Sequence, residues 1–302
     1  MNRFPDKSRV CFVGDSITHI GVFIKHIVGH YRKLFPGSGV EFYNCGIAGG
    51  YLGNTLAVFD EDIAIYDPTH IVLMIGVNDT RRENLSSPPS EERYAKLIKA
   101  YEEYQQNMEQ FYKIVRERNI EFILCTPMPY AEYAGDPNSV LRGGYALVQG
   151  YAAYVKDFAE KHSIELCDFH DLATRYMQSE VLYDPDHVHP NARGHELMAE
   201  KLLSMQGIPF EVTYDFSPEM NEWYDITQKL RNIVTAEYFT IPDFVNLTAE
   251  ERLAFAQKQH DDIKAGRSDI NGYFASLIES YIVDKPRQSE YIEHTRQFMK
   301  TN

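Results

Sequence analysis

Apolar and polar positions along the first two thirds of this chain follow two alternating rhythms. Short apolar runs at Arg9 to Val13, Val40 to Asn44, His70 to Ile75, Glu121 to Thr126 and Ile164 to Cys167 have the length and turn-bounded edges of strands. Longer stretches with three- and four-residue apolar spacing separate them. The clearest places Tyr94, Leu97, Ile98, Tyr101, Met108, Phe111, Tyr112 and Val115 on one helix face, a stripe expected in the core. Further helices are predicted from Gly144 to Lys161 and from near Asn191, the latter turning Leu197, Met198, Leu202 and Leu203 inward. Strands alternating with helices predict an α/β fold: a central five-stranded parallel sheet covered on both faces.

The alternation stops near Met205-Gln206-Gly207-Ile208-Pro209, and only helical patterns follow. Ser217-Pro218 reads as an N-cap and first-turn proline, leading into Met220, Trp223, Ile226, Leu230 and Ile233. Thr248 and Glu251 have capping-box spacing, and Gly266 is placed to end that helix. A third helix carries Ile270, Tyr273, Phe274, Leu277, Ile278, Tyr281 and Ile282 and is expected to end by Pro286. The division is therefore residues 1–207 as the α/β domain and 208–302 as a helical C-terminal extension. Its apolar faces need cover, either from the α/β domain or from a second copy in a homo-oligomer, and the sequence leaves both open.

A net charge of −14 without a long single-sign run argues against nucleic acid or an anionic membrane as partner. A small neutral or cationic substrate fits better. No stretch is apolar for long enough to span a bilayer, and the start lacks the core of a secretion signal, so a cytoplasmic location is expected. Cys11, Cys45, Cys125 and Cys167 lie in or just after predicted strands without zinc-type spacing and read as buried thiols.

Three segments carry chemistry. Ser16, in Gly14-Asp15-Ser16-Ile17-Thr18, follows the first strand, where a tight turn exposes a hydroxyl that becomes nucleophilic only beside a base. Asp186 and His189, in Asp186-His187-Val188-His189-Pro190, have a spacing that lets a carboxylate orient an imidazole; Asp184 and His187 share that spacing, and the later pair is preferred because Pro190-Asn191 opens the next helix. Acyl transfer also needs donors for an oxyanion: the Asn78 side chain, past the third strand, and the backbone N–H groups of Gly49 and Ser16 are placed for this. The late acidic and histidine cluster also admits a metal-ligand reading, which lacks a supporting ligand cluster elsewhere. Asp15 and Asp79 are read as loop braces, and His19, His26, His30 and His195 as surface or packing residues. Tyr130 and Arg142, in the irregular segment after the fourth strand, are candidate substrate contacts.

These blocks, Gly14-Asp15-Ser16, Gly49, Gly76-Val77-Asn78-Asp79 and Asp186 to Pro190, occur in the order found in the SGNH hydrolases, the GDSL-type esterases and lipases, which the chain resembles from about residue 8 to 205. The resemblance implies a flavodoxin-like three-layer fold, Ser16 as nucleophile, His189 as base, Asp186 as its orienter, an oxyanion hole of Ser16, Gly49 and Asn78, and no metal or cofactor. Within that superfamily the blocks look most like those of carbohydrate acetyl esterases, which implies hydrolysis of small acyl esters through an acyl-serine intermediate. A thioesterase or lysophospholipase acting on longer acyl chains, and a non-catalytic saccharide-binding or scaffold protein, are the alternatives. The chain departs from the pattern at His187, where many relatives have glycine. That histidine is a further candidate substrate contact.

Overall fold

A computed structural model describes residues 1–86, 88–132, 143–212, 215–270 and 272–300. The chain runs β1 (Arg9–Gly14), α1 (Ser16–Ile20), α2 (Val22–Leu34), β2 (Glu41–Gly46), α3 (Leu52–Ala57), β3 (His70–Met74), α4 (Glu91–Glu117), β4 (Glu121–Cys125), α5 (Gly144–His162), β5 (Glu165–Cys167), α6 (Phe169–Tyr176) and α7 (Ala192–Met205). The helices α8 (Pro218–Thr240), α9 (Ala249–Lys264), α10 (Gly272–Asp284) and α11 (Gln288–Lys300) follow. All five strands are parallel, in the order β2-β1-β3-β4-β5. The expected sheet is present, and every predicted strand falls within a residue or two of an observed one.

Strand periodicity sorts side chains to two cores. Val10 and Phe12 of β1 join α2, α6 and α7 on one face. Cys11 and Val13 join Tyr104, Phe111 and Val115 of α4 and Tyr151 and Val155 of α5 on the other. The four cysteines are buried and free. Among the described residues no helix is long and apolar enough to cross a membrane.

One expectation about α4 fails. Tyr94 and Ile98 are 54% and 58% exposed rather than in the core. Twenty-seven residues of helix extend about 40 Å at 1.5 Å per residue, whereas a five-residue strand such as β3 spans about 17 Å. The first turns of α4 therefore project past the sheet they would have covered.

The helices beyond residue 208 pack on the α/β domain. Helices α8 and α11 lie against β2, the strand at one edge of the sheet, where they cover an edge that otherwise offers unpaired backbone groups. Leu230, Ile233, Val234, Leu277, Tyr281 and Tyr291 form a third core with Ile47 and Val58 of the α/β domain. Across the same junction the Arg231 guanidinium makes two 2.6 Å hydrogen bonds to the Asp62 carboxylate, both side chains buried. The predicted caps are in place: Ser217 accepts from Met220 N, and Thr248 and Glu251 form a reciprocal capping box. Helix α11, after the expected end at Pro286, is an element that the sequence pattern did not predict.

Candidate active site

The order of the strands creates the site. From β1 the chain crosses to β2 on one side, while β3 lies on the other, so a crevice opens at the carboxyl ends between β1 and β3. Ser16 follows β1 and Asn78 follows β3, one on each bank. Close approach at the strand ends demands glycine: a Cβ on Gly14 would sit 2.2 Å from the Met74 carbonyl, and one on Gly46 would sit 2.2 Å from His19 N.

Asp15 caps α1, its carboxylate accepting from Ile17 N at 3.0 Å, and thereby sets Ser16 at the first position of that helix. From the far end of the domain, His189 brings Nε2 to 2.8 Å from Ser16 Oγ. Its Nδ1 lies 2.5 Å from Asp186 Oδ2. The other carboxylate oxygen, Oδ1, accepts from the backbone N–H groups of Val188 and His189, both at 2.9 Å. Burial pushes the Asp186 carboxyl up, but these hydrogen bonds, led by that from the His189 ring, outweigh it and hold the group below its ordinary range. Both ring nitrogens of His189 are thus engaged, one by an acid and one by a hydroxyl. That chain of contacts can move a proton from Ser16 Oγ to a stabilised imidazolium.

The donors expected around an oxyanion line the same cavity. Ser16, Gly49, Asn78 and His189 share a hollow of about 520 Å³. Asn78 spends one N–H on the Gly50 carbonyl (3.2 Å), which orients its amide. Gly49 has φ of +72°, a backbone that favours glycine, and a Cβ there would lie 3.0 Å from Phe239 Cζ. A second hollow of about 590 Å³ opens at the amino ends of the strands, beside Met1 and Glu165. There His70 Nδ1 lies 2.9 Å from the Thr69 hydroxyl, but no carboxylate of a described residue is hydrogen-bonded to that ring, so the linked carboxylate, imidazole and hydroxyl are found in the carboxyl-end cavity.

Asp15 and Asp79 brace loops as expected. Asp79 accepts from Leu52 N at 3.0 Å, which ties the Asn78 loop to α3. Burial raises the two carboxyls to about 6 and about 7. His19, His26, His30 and His195 are all buried, and burial lowers His19 and His195 to about 3 and His26 to about 4. His19 lines the cavity as a neutral ring 3.2 Å from Thr235 Oγ1.

Two candidate substrate contacts are corrected. Tyr130 is fully buried and its hydroxyl donates to the Val77 carbonyl at 2.8 Å, so it supports the loop carrying Asn78 from beneath. His187 is not among the residues lining the cavity. It adopts φ of +62°, its N–H donates to Asp184 O and its carbonyl accepts from Ala131 N, so it makes the turn that a glycine makes without strain. Arg142 lies outside the described residues. What the sequence reading missed is the far wall: Gln228, Asn232 and Phe239 of α8 and Tyr273 and Phe274 of α10, together with Arg82. The wide apolar face of α10 was the available signal, being more than one neighbouring surface requires.

The profile of the GDSL-like lipase/acylhydrolase family matches residues 12–197, more than half of the chain. The chain belongs to this family. The chain is similar to an acetylxylan esterase of Geobacillus stearothermophilus, 25% identical over 214 residues that cover 65% of this chain and 92% of that relative. The solved structure of a catalytic mutant of an acetylxylan esterase from the same organism aligns with a TM-score of 0.57 at 22% identity, over 70% of this chain and 99% of that one. A gut microbial diltiazem-metabolizing enzyme aligns with a TM-score of 0.73 at 15% identity, over 99% of this chain and 97% of that one. The last likeness extends the shared fold through the C-terminal helices. As a GDSL/SGNH hydrolase with an esterase relative, the chain is an enzyme acting on ester bonds.

Proposed function

We propose that this hydrolase cleaves small acyl esters, acetyl esters of carbohydrates foremost, in two steps through an acyl-serine intermediate. The observation that carries this reading is the 2.8 Å contact of His189 Nε2 with Ser16 Oγ, backed by Asp186 and opening into a cavity with the Asn78 amide on its wall. His189 takes the Ser16 proton as Oγ bonds to the ester carbonyl carbon. The resulting oxyanion is held by the Ser16 and Gly49 N–H groups and the Asn78 amide. The carbon–oxygen bond to the alcohol then breaks and the alcohol leaves with the proton from His189. Water repeats the sequence: His189 takes its proton, the hydroxyl bonds to the acyl carbon, and Ser16 departs with the proton as the carboxylic acid is released.

Acetyl as the acyl group is supported by the acetylxylan esterase relative. Hydrolysis of p-nitrophenyl esters from acetate to decanoate, alongside acetate release from acetylated xylo-oligosaccharides, tests the proposal. Turnover is expected to peak at acetate, and Ser16→Ala is expected to lose about a thousandfold or more in kcat. Undiminished turnover in Ser16→Ala rejects the acyl-serine route; a peak at long chains replaces the acetyl reading with a thioesterase or lysophospholipase.

A further inference from the structure

The chain carries 44 acidic residues, yet among the described residues that line the catalytic cavity none is an aspartate or glutamate, and one is an arginine. Arg82 begins the short turn Arg82–Ser86 after the Asn78 loop and is half-buried at the cavity wall. Its neighbour Arg81 is occupied, stacked 3.7 Å over the Tyr51 ring and paired with Glu103. No described residue hydrogen-bonds to the Arg82 guanidinium or forms an ion pair with it. A guanidinium partly withdrawn from water and without an ion-pair partner among the described residues is a fork for an anion, since two parallel N–H groups match a carboxylate or phosphate edge.

The same cavity carries a row of aromatic rings. Phe239 and Phe274 lie 6.1 Å apart between centroids, Phe274 and Tyr273 5.7 Å apart, and the last two are 45% and 51% exposed at the mouth. Asn232 and Gln228 add side-chain amides to the lining, the Gln228 N–H groups donating to the His19 and Ile20 carbonyls and its Oε1 remaining to accept. Rings flanked by amides suit a saccharide, which offers C–H faces to the rings and hydroxyls to the amides.

We propose that the alcohol this site releases is an anionic sugar, its ring on those of Phe274 and Tyr273 and its carboxylate or phosphate on Arg82. The chain's overall negative charge points toward neutral or cationic substrates. Local charge prevails here, because distant surface charges are screened beyond about 8 Å at physiological ionic strength. The inference rests on the esterase reading and adds the substrate's charge to it.

The experiment compares kcat/KM for three acetylated sugars that differ only at carbon 6: methyl glucoside, its 6-carboxylate (the methyl glycoside of glucuronic acid) and its 6-phosphate. Wild type is expected to favour at least one anionic sugar over the neutral one by about tenfold or more, as a charge-assisted hydrogen bond supplies. The faster of the two tells carboxylate from phosphate. In Arg82→Gln the ratio should fall to about one, in Arg82→Lys to an intermediate value, and salt should lower it in the wild type. A wild-type ratio near one for both anions, or a ratio unchanged in Arg82→Gln, overturns the proposal. Fluorophosphonate labelling of wild-type Ser16 separates the two levels. If labelling occurs, such a result removes only the anionic substrate; if it does not, the esterase reading falls and this inference with it.

Discussion

Replacing Arg231 by methionine tests whether the C-terminal helices and the α/β domain are one cooperative unit. The guanidinium grips Asp62 through two 2.6 Å hydrogen bonds, with side chains only 2% and 5% exposed. With charge centres about 4 Å apart and an effective dielectric constant of about 20, the attraction is about 4 kcal/mol. Removing one partner forfeits it and leaves the other, carboxylate or guanidinium, buried without its counter-charge, so Arg231→Met and Asp62→Leu should each cost about 3–5 kcal/mol. The double variant should return to within about 1–2 kcal/mol of wild type, since an apolar pair replaces an ion pair at little net loss. The assay is urea unfolding followed by two probes. Trp223, the only tryptophan, is buried in α8 and stacked on Phe298, so its fluorescence reports the C-terminal helices. Far-ultraviolet circular dichroism reports the whole chain. Coincident transitions, with the two single variants shifted and the double variant restored, are the expected result. Single variants that lose less than about 1 kcal/mol would refute the energetics, and a tryptophan transition ahead of the dichroism signal in the wild type would refute the single unit.

Three further outcomes follow from the site and the core. Asp186→Asn keeps a carbonyl oxygen for the Val188 and His189 N–H groups but offers Nδ1 an NH2, so kcat should fall by about 10³–10⁴ while the melting temperature barely moves. Gly49→Ala forces a side chain into a left-handed backbone and against Phe239, and should lower stability by about 1–2 kcal/mol and reduce kcat at the same time, read by thermal melting and steady-state kinetics. His195 is fully buried with neither ring nitrogen hydrogen-bonded to a described residue, and burial lowers it to about 3, so the unfolded chain takes up a proton below pH 6.5 that the folded one refuses. That contribution to stability is present at pH 8 and drains away as pH falls through 6.5 toward 3. In His195→Leu the stability difference between pH 8 and pH 5 should therefore shrink by about 2 kcal/mol, and an unchanged difference would show that the ring is not held neutral. Asp15 and Asp79, raised to about 6 and 7, act in the opposite sense and are common to both proteins in that comparison.

Strands were legible because each is a short, mostly apolar run bounded by turns or helix ends, and the Ser16, Asn78 and His189 blocks were legible because each follows such a run or opens a helix at a definite turn. Length was the hidden variable for Tyr94 and Ile98: the apolar spacing is real, but nothing local states that the helix outruns its sheet. Tyr130 was misread since an aromatic side chain in a loop can point either way, and only the Val77 carbonyl beneath it decides. Helix α11 escaped because its buried positions, Tyr291, Thr295, Phe298 and Met299, are spaced four, three and one apart inside a strongly polar segment directly after Pro286. The far wall of the cavity depends on contacts between residues some 200 positions apart, such as Gln228 with the His19 and Ile20 carbonyls, and no local pattern encodes those.

Those long-range contacts bear on how far a substrate can be carried over from relatives. The family match ends at residue 197, whereas Gln228, Asn232, Phe239, Tyr273 and Phe274 all lie beyond it. The reacting groups come from the shared part. The wall facing them comes from helices that also cover the β2 edge and cap the α1 carbonyls through Tyr224 and Gln228. Thr235 of α8 accepts from Ala48 N at 3.3 Å, next to Gly49, so a shift of α8 would disturb the oxyanion loop as well as the wall. On the proposed reading, α8 therefore bears on fold stability, on the loop that carries Gly49 and, together with α10, on the shape of the alcohol site. Substitutions on the buried face of α8 should then change KM and kcat together, whereas changes confined to the exposed rings of α10 should act on substrate choice with the chemistry at Ser16 left in place.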